Sequence, residues 1–393
     1  MAQAVNDDEE CPNVPLGTVV IGYKVGRLLG SGAYSSVHLG VHQETKARVA
    51  LKFLSDSDDY RRTQALTEVK FLKELASVPN VIKLIAIDHW QKCSVLVLPL
   101  IGADLDQLRP SGVAFNRGTL LKIGIDLIST IEQVHKLGIC HRSIKSPNIC
   151  MRDLGNPKSP LLLIDFGMAV KLETKRGRVV PYKEIANDTY HLRSYAPLNE
   201  IEPNSWTFTD DLVMLAYMLI RMNNDTASYQ GDSVSETARR KKALIKDPRA
   251  NLSNQSRFLA PFLKMVHSQG WRSLPKYAAL RLVLSAAATK AAPISKLWSF
   301  RREEGKMAQV FSPDEFDRII FSMRTLFQLY CHQMTRTDAR LSELVPELLQ
   351  QFTALALQQF LGYTPERRRN ALAEYYNLFS RMDATFPMFT GIL

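Results

Sequence analysis

At 393 residues, 46% hydrophobic and 23% charged, the chain can bury a large core and divide into two or three structural units, well inside the globular range. Its formal charge of +11 suits an anionic partner such as nucleotide, phosphoprotein, an acidic cytoskeletal surface or nucleic acid, without selecting among them. Cys11, Cys93, Cys140, Cys150 and Cys331 have neither paired metal spacing nor a dense disulfide pattern, and no apolar run approaches the roughly 20 residues of a membrane span, so the composition reads as a soluble cytosolic or nuclear protein with reduced thiols.

The chain opens on Asp7-Asp8-Glu9-Glu10 with no apolar stretch that would serve as a secretory signal, and residues 1–16 read as a disordered acidic tail. Residues 19–49 have the pattern strand, glycine-rich turn, strand, with Gly30 and Gly32 in the turn, and residues 48–54 form a further β-rich run. The period then changes. Leu66, Val69, Leu72 and Leu75 recur at helical spacing, predicting an amphipathic helix with Glu68 and Lys70 off its apolar stripe. Residues 82–87 and 95–100 read as two more strands, which completes a small β-rich unit carrying one helix.

Helices dominate from there on. Residues 120–137 form a long apolar-periodic segment ending at a plausible C-cap, Gly138, and the almost wholly apolar 210–222 reads as a buried helix. Residues 161–164 are a short strand, and 223–236 are loop-like. The basic clusters Arg239-Arg240-Lys241-Lys242 and Arg367-Arg368-Arg369 read as solvated faces, with docking surfaces as the alternative. No basic stripe is interleaved with aromatics, which argues against a nucleic-acid partner. Beyond residue 300, Ser312-Pro313-Asp314-Glu315 has the cap, N1 proline and early acids of a helix start, and 341–360 and 366–382 follow as amphipathic helices. Residues 301–393 are therefore expected to be a helical extension that packs on the preceding domain or binds a partner.

The chemistry gathers in three places. Lys52 lies in the hydrophobic strand Val49-Ala50-Leu51-Lys52, twenty residues after Gly32, where an ammonium needs an anionic partner. Phosphate is the obvious candidate, with Glu68 on the following helix placed to hold Lys52 toward it. Later, His141-Arg142-Ser143-Ile144-Lys145-Ser146-Pro147-Asn148 is followed, seventeen residues after Asn148, by Asp165-Phe166-Gly167. A carboxamide and a carboxylate on adjacent loops offer the oxygen ligands that Mg²⁺ on a triphosphate requires, and Lys145 can neutralise charge on a transferred phosphoryl group.

This set resembles the protein-kinase signature, and more narrowly the casein kinase 1 group in its tau-tubulin kinase-like branch. Tyr195-Ala196-Pro197-Leu198-Asn199, Asp210-Asp211-Leu212, Pro181-Tyr182-Lys183-Glu184 and Leu100-Ile101-Gly102-Ala103-Asp104-Leu105 are similar to that group's motifs. The resemblance implies an α+β, bilobal kinase fold over residues 17–300, with an N-lobe at 17–101 and a C-lobe at 102–300. It further implies ATP and Mg²⁺ as ligands and a protein substrate or scaffolding partner, acidic or phosphorylated. By the same resemblance the loop glycines Gly30 and Gly32 cover the phosphates; Leu29, Val37 and Ala50 sandwich adenine; Leu98 is the gatekeeper; Pro99 and Ile101 supply hinge contacts. Asn148 and Asp165 hold metal, Asp211 supports the catalytic loop, and Arg193 lies where the group binds an anion.

Three departures matter. The family's catalytic-loop aspartate is Ser143, its third loop glycine is Ser35, and Tyr190-His191-Leu192 replaces a Gly-Thr with what looks like a one-residue insertion. A serine hydroxyl is not a useful base near neutral pH. Intact nucleotide residues beside a lost base point to an ATP-binding pseudokinase that acts as scaffold or regulator. The alternatives are an active serine/threonine protein kinase with an unusual catalytic loop, and an interaction module that binds no nucleotide.

Overall fold

A computed structural model describes residues 14–294 apart from 33–34, 109–114, 154–158, 184–194, 199–204 and 290–292. The chain divides into two compact units, Met1–Asp153 with Lys158–Trp298, and Leu154–Pro157 with Ser299–Leu393. Every described residue belongs to the first. The helices expected beyond residue 300, most of the acidic tail, Arg193 and the insertion at 190–192 lie outside the described residues.

The first part of this unit is β-rich. Strands β1 (Val19–Val20), β2 (Tyr23–Gly32), β3 (Ser35–His42), β4 (Arg48–Ser55), β5 (Ala86–Trp90) and β6 (Cys93–Pro99) form one antiparallel sheet in the order β1-β2-β3-β4-β6-β5. Alternation along β4 decides what each side chain does. Val49, Leu51 and Phe53 point to one face and bury with Val20, Val25, Val95 and Val97. Ala50 and Lys52 point to the other, opposite Leu98 and Leu96 in β6.

Helix α1 (Asp59–Glu74) packs on this sheet and is capped by Asp58, whose carboxylate accepts from the Arg61 amide at 2.8 Å. Its buried face corrects the sequence expectation. Leu66 is 60% exposed, whereas Glu68 is 1% exposed beside Ala65, Val69 and Leu72. The helix is turned so that Glu68 meets Lys52, and that ion pair outweighs the burial of one leucine. The strand expected at 82–87 is also displaced, to Ala86–Trp90. Val81 bridges to Leu163 and the Ile82 amide donates to the Leu163 carbonyl, so the start of this run is tied to the second half of the molecule.

That second half is helical: α2 (Arg117–Lys136), α3 (Phe208–Met222), α4 (Val234–Lys246), α5 (Pro248–Asn251), α6 (Ala260–His267) and α7 (Tyr277–Ala286). Helix α2 ends at Gly138, whose φ of +73° suits a residue without Cβ and whose amide caps the His135 carbonyl. Helix α3 is buried along nearly its whole length, as its apolar composition predicts. Two-stranded ribbons connect the helices: β7 (Ile139–Cys140) with β10 (Val170–Lys171), β8 (Ile149–Met151) with β9 (Leu161–Leu163), β11 (Glu173–Lys175) with β12 (Arg178–Val180), and β13 (Tyr182–Lys183) with β14 (Ser205–Trp206). No helix long and apolar enough to cross a membrane occurs among the described residues.

Candidate nucleotide site

The sheet register brings the expected base-binding side chains onto one surface. Ala50 lies between Leu39 and Leu98, and Val37 pairs with Lys52 on one side and Gly30 on the other. Ala50 and Leu98 are buried, while Leu29, Gly30, Val37, Pro99 and Ile101 are half-buried and Gly32 is exposed. Pro99 ends β6 opposite Val49, where a residue without an N–H still offers its carbonyl. The segment after it is fixed by the Gly102 amide donating to the Met151 carbonyl at 2.8 Å and the Leu105 amide to Ile149 at 2.9 Å.

Lys52 is the electrostatic centre. Its Nζ donates to Glu68 Oε1 and Oε2 at 2.8 and 2.7 Å and to Asp165 Oδ1 at 2.8 Å. Burial favours the neutral amine, but the two carboxylates outweigh it and hold the ammonium above the ordinary lysine range. Burial likewise pushes the Asp165 carboxyl up, and Lys52, with Lys145 behind it, carries it down to about 2. Asp165 is thus a fixed anion whose side chain is still 36% exposed.

The β8–β9 ribbon explains why Asn148 and Asp165 come together. Ile149 pairs with Leu163, so the residue preceding β8 and the residues just after β9 share one end of the ribbon, where the Ile164 amide donates to the Asn148 carbonyl at 3.0 Å. Asp165 has φ of +66°, and Phe166 beside it is fully buried with its ring edge-on to His141 at 4.6 Å. Asn148 Nδ2 donates to the Ser143 carbonyl at 2.9 Å and to Ser143 Oγ at 3.1 Å, which leaves its carboxamide oxygen as the acceptor available to a cation. Among the described residues no three His, Cys, Asp or Glu side chains form a metal-binding group. One carboxylate and one carboxamide fit Mg²⁺ carried by a triphosphate, which takes its other ligands from phosphate and water.

The loop that presents Ser143 is rigidly held from below by Asp211 in α3, which is 0% exposed. Its Oδ2 accepts from the His141 amide at 2.7 Å and from His135 Nε2 at 2.9 Å, and its Oδ1 from the Arg142 amide at 2.8 Å. These bonds fix Arg142 at φ +64°, a left-handed conformation that costs energy for a non-glycine residue. His141 Nε2 donates to the Ile164 carbonyl at 3.0 Å and its Nδ1 accepts from the Ser143 amide at 3.1 Å, and burial lowers its pKa, so the ring is neutral. The guanidinium of Arg142 lies over Tyr182 and Trp206, at 5.1 and 4.9 Å from their ring centroids.

Sequence reasoning missed a second set of polar contacts. Ser146 Oγ donates to Asp106 Oδ1 at 2.7 Å and shares a 3.1 Å hydrogen bond with the Tyr195 hydroxyl, joining the loop after the hinge, the catalytic loop and the segment at 195–198. On the far side of that segment, Lys241 Nζ donates to the Ala196 carbonyl at 2.7 Å and lies 4.9 Å from the Tyr217 ring centroid. Lys241 is 1% exposed, which corrects the expectation of a wholly solvated basic cluster there. Its aliphatic stem fills the core while its head meets the Ala196 carbonyl and the Tyr217 ring face.

Residues 23–274 match the protein kinase domain. The chain belongs to this family. Over 278 residues it is also 26% identical to a protein from Dictyostelium discoideum named as a probable serine/threonine-protein kinase, an alignment covering 68% of this chain and 54% of the other. The chain thus spans about half the length of that curated relative. The β-rich and helical halves described above are the two parts of the kinase domain, and the Lys52–Glu68–Asp165 ion pairs lie between them.

Proposed function

We propose that this kinase domain binds ATP with Mg²⁺ between its two halves and transfers phosphate poorly or not at all, acting as a scaffold or regulator. In this reading it is a pseudokinase of the casein kinase 1 type, in the tau-tubulin kinase-like branch. One observation carries it. Where the family places a carboxylate, Ser143, 8% exposed, presents a hydroxyl engaged by Asn148, while Lys52 keeps its contacts with both Glu68 and Asp165. Losing a positioned base costs on the order of 10² to 10⁴ in rate. Magnesium held by Asp165 and Asn148 would supply charge neutralisation on the phosphates, and Lys52 and Lys145 would position them.

A second reading, an active serine/threonine kinase, is favoured by the intact loop support from Asp211 and by the charge retained around Asp165, because phosphoryl transfer depends chiefly on positioning and electrostatics.

The deciding experiment pairs two measurements on the full chain. Thermal unfolding with Mg²⁺-ATP is expected to shift upward, by about 2.7 kcal/mol at a hundred times Kd. Phosphate transfer to a casein-like or tubulin-like protein is expected to be slow or absent. Transfer at an ordinary kinase rate, abolished by Asp165→Ala, would establish the second reading instead, and no thermal shift at millimolar nucleotide would leave an interaction module.

A further inference from the structure

Helix α7 sends a side chain into the support of the catalytic loop, and no step of the nucleotide chemistry accounts for it. Asp211 is an ionised, fully buried carboxylate and can only accept, so the His135 Nε2 that lies 2.9 Å from its Oδ2 must carry the hydrogen of that bond. The other ring nitrogen, Nδ1, stands 2.7 Å from the hydroxyl of Tyr277, which is the first residue of α7 and follows His135 by 142 residues. Which nitrogen of an imidazole is protonated is set by the bond the other makes. The hydroxyl has a proton to give, because burial, reinforced by the charge of Asp211, raises its pKa.

The placement of Tyr277 is fixed along the whole of its helix. Leu280 and Leu284 of α7 are fully buried, and α7 lies so close to α2 that a Cβ on Gly124 would come within 2.7 Å of the Leu284 side chain. Arg281 donates to Glu132 of α2 at 2.6 Å, and Arg117 at the start of α2 donates to the Ala287 carbonyl just past α7. At the near end, the Lys276 amide donates to Gln269 Oε1 at 3.0 Å. The ring of Phe208 lies along that of His135, with centroids 4.6 Å and planes 33° apart, which leaves the two ring nitrogens to Asp211 and Tyr277. His135 is 4% exposed, so little solvent reaches it to replace a lost partner.

We propose that Tyr277 is a positioning residue of the catalytic loop: its hydroxyl donates to His135 Nδ1, holds the ring as the neutral tautomer protonated at Nε2, and so keeps Asp211 aimed at the His141 and Arg142 amides. Bonds in series then run from α7 to the loop that presents Ser143, Lys145 and Asn148. Chains of hydrogen bonds polarise one another, so the bond furthest from the loop strengthens those nearest it. Without the hydroxyl, Nδ1 becomes a buried acceptor with no donor, and the ring gains by turning away from Asp211 or by exchanging tautomer. This role concerns the support of the loop and not the fate of phosphate, so it stands under either reading of the function.

The test is nuclear magnetic resonance of the full chain, with the imidazole nitrogens labelled and His135 assigned through its own backbone resonances. The parent is expected to show His135 as a neutral ring, protonated at Nε2 and accepting a hydrogen bond at Nδ1. Tyr277→Phe, which removes only the hydroxyl, is expected to abolish the signature of the Nδ1 bond. Amide hydrogen exchange in the same variant should quicken at His141 and Arg142 by at least about tenfold, while the amides of strand β4 stay within about twofold of the parent. In a His135→Gln background, Tyr277→Phe should change the two loop rates by less than about twofold, because the path from the hydroxyl to Asp211 is already cut. A His135 ring in the parent that is doubly protonated, or protonated at Nδ1 alone, would overturn the proposal. So would loop amides unchanged by Tyr277→Phe, loop and sheet amides quickened equally, or the full effect persisting without His135. The first two measurements decide the question by themselves if His135→Gln does not fold.

Discussion

The carboxamide of Asn148 donates to the hydroxyl of Ser143 at 3.1 Å and to its carbonyl at 2.9 Å, so this side chain is held in place, and in the proposed reading it stands where an active kinase has its base. That geometry makes a gain of function the sharpest test. Ser143→Asp keeps an acceptor within reach of Asn148 and adds the carboxylate, on a loop already fixed by Asp211. Phosphate transfer should rise by on the order of 10² to 10⁴ over the parent under identical Mg²⁺-ATP. An unchanged rate would mean that Ser143 is not what limits the chemistry.

The Lys52–Glu68 pair predicts a pattern in stability. Glu68 is 1% exposed, and Lys52→Met would strand its carboxylate in the core at a cost of roughly 3–5 kcal/mol. Asp165 would suffer less, because its side chain keeps 36% of its exposure. Adding Glu68→Gln to Lys52→Met removes the stranded charge and should recover most of the loss. Denaturant unfolding of the two single variants and the double variant checks this, and strict additivity would show that the pair is not coupled.

How much of this was legible follows from how far apart the partners lie in the chain. Lys52 and Asp165 stand in short motifs, and their strands were apparent from local pattern. Glu68 is readable from the sequence as a partner for Lys52 but not as a buried residue, because apolar period alone favours Leu66 for burial, and a buried ion pair overrides that preference. The strand expected at 82–87 lies at Ala86–Trp90 for a related reason, since Val81 and Ile82 bond to Leu163, about eighty residues away. Ser146 and Tyr195 stand in motifs, but nothing local pairs them with each other or with Asp106. Their contact exists only because the hinge-following loop, the catalytic loop and the 195–198 segment converge. Lys241 was hidden by its neighbours, being one cation among four in sequence but the buried member of the group in space.

Asp211 should be among the costliest side chains to remove. Burial alone would raise its carboxyl, but the hydrogen bond from His135 holds it below the usual range, and it accepts from two backbone amides as well. Asp211→Ala would leave those donors unsatisfied and release Arg142 from its left-handed conformation, at roughly 3–5 kcal/mol. A depressed carboxyl contributes stability above its unfolded pKa, roughly 3.9, and loses that contribution as pH falls through its folded value. The difference between parent and variant should therefore be full at pH 7 and shrink below about pH 4.

Lys241 also makes stability rise with pH, but through the relief of a penalty rather than the gain of a favourable charge. Burial lowers its pKa to about 7, so above that pH the folded chain releases a proton that the unfolded chain keeps until roughly pH 10.4. Stability arising from this residue therefore rises with pH between those values, and the penalty for burying the ammonium is fully present below pH 7. Lys241→Met keeps a linear apolar stem and removes the charge, at the loss of the 2.7 Å bond to Ala196 and the contact with Tyr217. Because replacing a buried ion by an apolar residue of similar volume is often stabilising, by 1–4 kcal/mol, the variant should melt higher than the parent at pH 6. That advantage should shrink as the pH rises from 7 toward 10. A variant that melts lower at pH 6, by a margin that does not change with pH, would mean that the bond to Ala196 outweighs the burial of the charge, and that Lys241 serves the fold as a strut for the segment leading into α3.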